Sequence, residues 1–285
     1  MINTVYRLVA PRRFEIAFED INLFGENAIV RPTYLSICNA DMRYYLGTRD
    51  AKVLAEKLPM ALIHEGVGEV FLDPTGTFKT GDKVVMVPNA PVEKDEFIAE
   101  NYLRSSKFCG SSMDGFLQEF VEISPKRLVK LPDDIDMTVA AFTEIVSVSV
   151  HAISRFDKIA HARRNTISVW GDGNLGYITS LFLKYHFPKS KIVVFGTSSD
   201  KLADFTFADE THLVNEVPDG FTTDHAFECV GGNGSPIAIE QIIGLIKPEG
   251  TISILGVSEY PVPINTRMIL EKGLRVFGSS RSGVK

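Results

Sequence analysis

The segment that most constrains the fold is the glycine-rich hexad GDGNLG at residues 171–176. A strand-like apolar run at 166–170 precedes it, and a helical run at 175–185 follows it. In that context a GxGxxG pattern predicts a dinucleotide-binding turn. The first glycine permits the tight turn, the second lets a pyrophosphate approach the backbone, and the third lets helix and strand pack closely. The predicted cofactor contacts in the turn are Gly171, Gly173, Asn174, Leu175 and Gly176.

The second half of the chain alternates strand-like and helical runs. Besides 166–170, the predicted strands are 191–195, 212–215, 225–228, 251–255 and 274–277. Strands that alternate with helices form a parallel sheet covered by helices on both faces. We therefore predict a doubly wound α/β domain.

The first half is rich in short β-strand patterns. Apolar runs at 27–30, 67–72, 83–87 and 116–123 are separated by Gly, Pro and Asp, which predicts a small barrel or sandwich. The stretch 89–115 is charged and irregular, as expected of a functional or interface loop. An apolar, helix-compatible run at 137–152 would bridge the two halves. The predicted domains are therefore 1–140 and 141–285.

The end of the second predicted strand of the α/β domain indicates the type of cofactor. NAD-specific sites usually carry an acid there, which binds the ribose 2′-hydroxyl. This chain has Gly196 instead, followed by Thr197, Ser198 and Lys201, which offer hydroxyl groups and a cation to a 2′-phosphate. The pattern favours NADP(H). Asp200 leaves an alternative open, because a small shift in register would return an acid to the ribose.

The overall charge and the cysteine content exclude several classes of protein. A net charge of -6 argues against a dedicated nucleic-acid-binding protein. No run approaches the roughly 20 apolar residues that a membrane span needs, and the N-terminus has no signal-peptide pattern. Three cysteines do not suggest a disulfide framework, so the expected location is the cytoplasm.

Potential metal ligands are spread over the first half of the chain. A thiolate, an imidazole and a carboxylate are ordinary zinc ligands, and a catalytic zinc uses three such ligands with one open position. The candidates are Cys38, His64, Glu65 and Glu144. Their separation in the sequence does not by itself establish a site.

Together with the nucleotide-binding half, these segments resemble the zinc-containing medium-chain dehydrogenase/reductase family over essentially the whole chain. The resemblance implies a GroES-like catalytic domain at 1–140 and a Rossmann NADP-binding domain at 141–285. It also implies a catalytic zinc near Cys38, His64, Glu65 and Glu144, with Asp41 orienting the ligand histidine. Cys38, His64 and Asp41 are thus the implied catalytic residues. Three roles stay open for Glu65: it binds the metal permanently, it binds the metal transiently, or it only balances the charge of the metal.

The chain departs from the family pattern at three places. Ala40 stands where many members carry the Ser or Thr that relays the alcohol proton, so water, a substrate hydroxyl or another side chain must deliver it. The 89–115 stretch matches the lobe that often holds a structural zinc through four cysteines, but it contains only Cys109, so we expect no structural zinc. Members usually continue beyond the late strand and return to the catalytic domain, whereas this chain stops at Lys285 and is expected to be either naturally short or truncated.

Within the family, a set of segments resembles the ribulose-5-phosphate reductases: 9–14, 31–38, 58–65, 170–178, 227–232 and 278–283. That resemblance implies NADPH-dependent reduction of D-ribulose 5-phosphate to D-ribitol 5-phosphate, with zinc as the Lewis acid. The product would feed CDP-ribitol and teichoic acid or capsule synthesis. A ribitol-5-phosphate cytidylyltransferase is the implied partner, and a homo-oligomer formed through the late strand 274–277 is expected.

A phosphorylated substrate requires cationic side chains, and arginine suits phosphate best because its planar fork binds two oxygens. Arg43 and Arg281 are the first candidates for this contact, and Lys107 and Arg104 are weaker ones. Solvation at the surface is the alternative for each.

Two other functions stay open. One is a zinc-dependent polyol or alcohol dehydrogenase that acts on an unphosphorylated substrate. The other is a non-catalytic dinucleotide-binding subunit, although the Cys38, His64 and Glu144 set argues against it.

Overall fold

The computed structural model describes residues 1–283. Backbone contacts divide them into two compact units. One unit comprises residues 1–144 together with Ser282 and Gly283, and the other comprises Ile145–Arg281. Within residues 1–283, no helix has the length and apolar character of a membrane span.

The first unit is built mainly of short strands. They are β1 (Ile2–Ala10), β2 (Arg13–Asp20), β3 (Ala28–Ser36), β4 (Met60–Ala61), β5 (Glu65–Leu72), β6 (Lys83–Met86), β7 (Asn89–Ala90), β8 (Lys107–Phe108), β9 (Val121–Ile123) and β10 (Leu128–Lys130). Its helices are α1 (Asn39–Leu46), α2 (Ala51–Lys57) and α3 (Met137–Ala140), and α4 (Thr143–Ile159) begins at its end.

Two antiparallel sheets organise this unit, and a two-stranded pair of β7 and β8 accompanies them. The larger sheet has the order β10-β6-β5-β3-β9, and the smaller has the order β2-β1-β4. Their core includes the fully buried side chains of Leu8, Tyr44, Met86 and Phe116. The β-rich character predicted for the first half is confirmed.

Two details of this unit differ from the sequence-based expectation. The run 116–123 is a strand only at Val121–Ile123, because the N–H groups of Phe116 and Leu117 instead donate to the carbonyls of Ile63 and Leu62. The single helix expected at 137–152 is interrupted between α3 and α4. The N-terminal hairpin of β1 and β2 was not predicted at all.

The second unit alternates strands and helices. Its strands are β11 (Thr166–Trp170), β12 (Lys191–Gly196), β13 (Glu210–Leu213), β14 (Thr223–Glu228), β15 (Ile246–Ile254) and β16 (Arg275–Gly278). Its further helices are α5 (Asn174–His186), α6 (Ser199–Leu202), α7 (Ser235–Leu245) and α8 (Thr266–Lys272).

All six strands are parallel, in the order β13-β12-β11-β14-β15-β16. Successive residues of one strand contribute to different apolar clusters: Val169 belongs to one and Trp170 to another. Alternate side chains of a strand point to opposite faces, so both faces of the sheet are buried. The doubly wound fold is therefore confirmed. The strand order reverses between β11 and β14, and ligands of such folds bind beyond the carboxyl ends of the strands at this point.

Candidate active site

The glycine turn joins β11 to α5, and its three glycines differ in their surroundings. A Cβ at Gly171, where φ is +132°, would lie 2.9 Å from the backbone of Cys229. A Cβ at Gly176 would collide with the carbonyl oxygen of Gly171. A Cβ at Gly173 would meet no atom within 4 Å. The outer two glycines are thus required by packing, whereas Gly173 leaves the space before the N-terminus of α5 open.

The side chain of Asp172 lies across the turn that follows β12. Its Oδ2 atom accepts the backbone N–H of Thr197 at 2.6 Å and that of Ser198 at 2.9 Å. The Thr197 hydroxyl also donates to Oδ2, at 3.1 Å. Burial opposes ionisation of Asp172, but these donors outweigh it and keep the pKa of Asp172 below its ordinary value.

The glycine at the end of β12 has a steric explanation. A Cβ at Gly196 would lie 2.7 Å from Cβ of Asp172 and 2.9 Å from Cδ2 of Leu202. In the sequence, Gly196 indicates only that no acid stands at the end of β12. The structure shows that a carboxylate does lie there, supplied by the glycine turn rather than by β12. The paired signal, an Asp inside the turn with a Gly at the strand end, could have indicated this from the sequence.

The cluster of potential metal ligands lies wholly in the first unit. Cys38 follows β3 and caps the N-terminus of α1, while His64 and Glu65 stand at the start of β5. The antiparallel register of β3 and β5 places Ser36 opposite Glu65. One donor atom from each of Cys38, His64 and Glu65 lies within 4.8 Å of the others. Strand pairing therefore brings together residues that are distant in sequence.

Asp41 holds the backbone of both ligand segments. Its Oδ2 accepts the N–H of Cys38 and its Oδ1 accepts the N–H of Ile63, each at 3.0 Å. Oδ1 lies 3.7 Å from Nδ1 of His64, which is too long for a hydrogen bond. In this structure Asp41 thus fixes the segment before His64 by a direct hydrogen bond.

The cluster accumulates acidic groups in a buried setting. Glu65 is 1% exposed and Glu144 is 8% exposed. Burial, together with the nearby carboxylates of Glu65, Asp41 and Glu144, raises the pKa of Cys38 to about 12. Burial also raises the pKa of Glu65, against hydrogen bonds from Ser36 and Cys38. A thiolate here needs a compensating positive charge, and the donor set of thiol, imidazole and carboxylate fits zinc.

The candidate phosphate-binding cations belong to different elements of the fold. Arg43 lies half-buried on α1, the helix that Cys38 caps. Arg281 follows β16 in the second unit, with a left-handed φ of 58°. Arg104 and Lys107 are exposed.

The sequence was compared with known protein families. Residues 25–133 match the model of the alcohol dehydrogenase GroES-like domain. The matched range includes Cys38, His64 and Glu65.

Curated relatives match the chain over its whole length. It is 58% identical over 285 residues to ribulose-5-phosphate reductase 1 of Staphylococcus aureus, covering 100% of this chain and 84% of the relative. It is 56% identical over 283 residues to the ribulose-5-phosphate reductase of Bacillus spizizenii, covering 99% and 83%.

A solved structure shows the same fold. The crystal structure of S. aureus TarJ in complex with NADPH superimposes with a TM-score of 0.87 at 53% identity, covering 99% of this chain and 82% of that one. TarJ, which is 53% identical to this chain, therefore binds NADPH.

Proposed function

This chain belongs to the ribulose-5-phosphate reductases of the medium-chain dehydrogenase/reductase family, and we propose that it reduces D-ribulose 5-phosphate to D-ribitol 5-phosphate with NADPH. The observation that carries the proposal is the cluster of Cys38, His64 and Glu65, whose donor atoms lie within 4.8 Å of one another. A non-catalytic dinucleotide-binding subunit would not require such a buried donor set.

We propose that Cys38, His64 and Glu144 hold one catalytic zinc ion, with Glu65 either ligating it or balancing its charge. When bound, zinc polarises the substrate carbonyl and stabilises the alkoxide that forms during reduction. Asp41 fixes the backbone at Cys38 and Ile63, which supports a fixed spacing of the two ligand segments. With Cys109 alone in the 89–115 stretch, we propose no structural zinc.

The cofactor is proposed to lie on Gly171, Gly173, Asn174, Leu175 and Gly176, with its pyrophosphate at the N-terminus of α5. The open space at Gly173 supports this placement. The side chains of Thr197, Ser198 and Lys201 are proposed to serve the 2′-phosphate. Since Asp172 already accepts the backbone N–H groups of Thr197 and Ser198 and the Thr197 hydroxyl, the Ser198 hydroxyl and the Lys201 ammonium must supply most of that contact.

The reaction transfers one hydride and one proton. The hydride passes from C4 of the nicotinamide to C2 of the ketose, and a proton completes the secondary alcohol. Ala40 has no hydroxyl to relay that proton, so water, a substrate hydroxyl or another side chain delivers it.

Arg43 and Arg281 are each proposed as a candidate for the substrate phosphate contact, with Lys107 and Arg104 as weaker alternatives. Arg43 is supported by its place on α1, the helix that Cys38 caps. The product would serve a cytidylyltransferase that forms CDP-ribitol for teichoic acid or capsule synthesis. We retain the domain 1–140, which holds Cys38, His64 and Glu65, and the domain 141–285, which binds the cofactor and begins just before Glu144. A homo-oligomer through the edge strand β16 and a cytoplasmic location complete the proposal.

An NADPH-oxidation assay tests this function. The zinc-loaded protein should oxidise NADPH with ribulose 5-phosphate, and a chelator should abolish the activity. Ribulose and sorbitol serve as the unphosphorylated comparison, the latter assayed in the oxidative direction. Equal kcat/KM for ribulose and ribulose 5-phosphate would reject phosphate recognition, and no turnover in the zinc-loaded protein would reject the reductase itself.

The phosphate contact has its own variant pair. Arg43→Ala should raise KM for ribulose 5-phosphate while leaving the weak turnover of ribulose unchanged. The exposed Arg31→Ala is the matched control for loss of a positive charge in the same unit. An equal effect of Arg43→Ala on both substrates would argue against a phosphate contact.

A further inference from the structure

Strand β2 is the outermost strand of the smaller sheet, and among the described residues it pairs only with β1. All of its residues except Ala17 are exposed. The exposed fractions of Phe14, Ile16 and Phe18 are 41%, 59% and 72%. A long edge strand with an exposed apolar face is a template for pairing with another strand.

The hydrogen-bond ladder shows which backbone groups face the open edge. The Tyr6 N–H donates to the carbonyl of Leu117, and the Thr4 carbonyl accepts from Glu119, so these two residues of β1 point away from β2. The backbone N–H and C=O groups of the residues between and beside Thr4 and Tyr6 therefore point towards β2. Among these residues, Val5 stands opposite Ala17. Because backbone groups alternate in direction along a strand, those of Phe14, Ile16 and Phe18 point outward from the sheet edge.

We propose that β2 is an interface with a second copy of this chain, formed by antiparallel pairing of the two β2 strands about a two-fold axis at Ile16. In this register Ile16 stands opposite Ile16 of the second copy, and Phe14 stands opposite Phe18 of the second copy. The outward backbone groups of these residues then bond to one another directly.

The charges of β2 favour this register over its neighbours. It places Arg13 opposite Glu19 of the second copy and Glu15 opposite Ala17. A shift of two residues in either direction places Glu15 opposite Glu15 or opposite Glu19, and like charges in facing positions repel. A shift of one residue aligns outward backbone groups with inward ones, so their hydrogen bonds cannot form.

The side chains on both faces of β2 suit the pairing. On one face, Phe14, Ile16 and Phe18 form apolar cross-strand pairs with the same residues of the second copy. On the other face, Arg13 pairs with Glu15 and Glu19 pairs with Arg7 within the chain. These ion pairs are partly exposed, so exchanging a partner costs little. A two-fold contact is self-complementary, so this contact joins the copies in pairs.

Cysteine cross-linking tests both the contact and its register. Facing hydrogen-bonded residues have Cα atoms about 5.5 Å apart, which a disulfide can span. Ile16→Cys should therefore form a covalent dimer under mild copper–phenanthroline oxidation. Phe18→Cys is the matched control, because its counterpart in the second copy lies roughly 14 Å away in this register. The unsubstituted chain reports the background from Cys38, Cys109 and Cys229.

Failure of Ile16→Cys to cross-link, or equally fast cross-linking of Phe18→Cys, would overturn the proposal. Light scattering provides an independent measurement that needs no new cysteine. Ile16→Lys should halve the mass of the assembly, whereas Leu270→Lys, at a 78% exposed position on α8, should leave it unchanged. An unchanged mass in Ile16→Lys would likewise reject the interface. None of these outcomes depends on the proposed reaction.

Discussion

The side chain of Asp172 occupies the space that a side chain at position 196 would need, since a Cβ at Gly196 would lie 2.7 Å from Cβ of Asp172. The two positions belong to different elements, the turn after β11 and the end of β12. Asp172 also accepts two backbone N–H groups of the turn that follows Gly196. Gly196 and Asp172 therefore depend on each other sterically at the proposed cofactor site.

This steric dependence predicts that substitutions at the two positions are coupled in their effects on the free energy of unfolding. Gly196→Ala should lower the free energy of unfolding by about 1–3 kcal/mol, because the new methyl group overpacks against Asp172. The same substitution should cost less in an Asp172→Gly background, where only the end of the Leu202 side chain still meets the new methyl group. Urea unfolding of the four proteins measures the coupling energy. Additive effects of the two substitutions would show that the positions act independently.

The second and third glycines of the turn should respond differently to alanine. Gly173→Ala should change the free energy of unfolding by less than about 0.5 kcal/mol, because its Cβ meets no atom within 4 Å. It should weaken NADPH binding on the order of tenfold or more, since the pyrophosphate approaches the backbone there. Gly176→Ala should instead destabilise the protein, because its Cβ collides with the Gly171 carbonyl. Thermal unfolding and NADPH fluorescence titration separate the two effects, and normal NADPH affinity in Gly173→Ala would contradict the proposed cofactor position.

Asp41 should control zinc affinity through the backbone. Asp41→Asn keeps an acceptor for only one of the N–H groups of Cys38 and Ile63, so zinc affinity should fall by roughly 10–100-fold. A competition titration with a chromogenic chelator measures this directly. Asp73→Asn is the matched control, because Asp73 also accepts two backbone N–H groups, from Thr75 and Phe78, in a turn outside the metal cluster. A similar loss of zinc affinity in both variants would indicate a general loss of stability.

His225 should make the stability of the protein depend on pH. Its Nδ1 accepts the N–H of Thr251 at 3.1 Å, so Nε2 carries the proton and donates to the Arg163 carbonyl at 3.0 Å. Burial, followed by the neighbouring His161, lowers the pKa of His225 to about 4. The unfolded chain therefore binds more protons between its ordinary pKa of about 6.5 and pH 4. The free energy of unfolding should therefore decrease as the pH falls from about 6.5 to about 4. Below about pH 4, His225 should cause no further decrease.

The contribution of His225 can be isolated by comparing the chain with a His225→Asn variant. The difference between their free energies of unfolding should shrink by on the order of 3 kcal/mol as the pH falls from about 7 to 4. Urea unfolding at several pH values gives that difference. A difference that does not change with pH would mean that His225 does not titrate in this range.

The second unit was predictable from sequence because its strands are buried on both faces. Such strands appear as continuous apolar runs between helices, and the predicted strand 166–170 coincides with β11. The edge strand β13 was displaced, at Glu210–Leu213 instead of 212–215, because it is only partly buried and its apolar pattern is weak. The hairpin of β1 and β2 was missed because β2 is exposed on both faces, so no core-facing pattern marks it.

The sequence by itself determined the chemical identities of the site: the glycine turn, the thiol of Cys38, the imidazole of His64 and the carboxylates of Glu65 and Glu144. These are visible without coordinates because the chemistry depends on residue type and local spacing. Tertiary structure decided which of them meet. The register of β3 and β5 brings Cys38 to His64 and Glu65, and the parallel pairing of β11 and β12 brings Asp172 to Gly196. Contacts between strands depend on backbone hydrogen bonding across distant segments, which no local pattern in one sequence specifies.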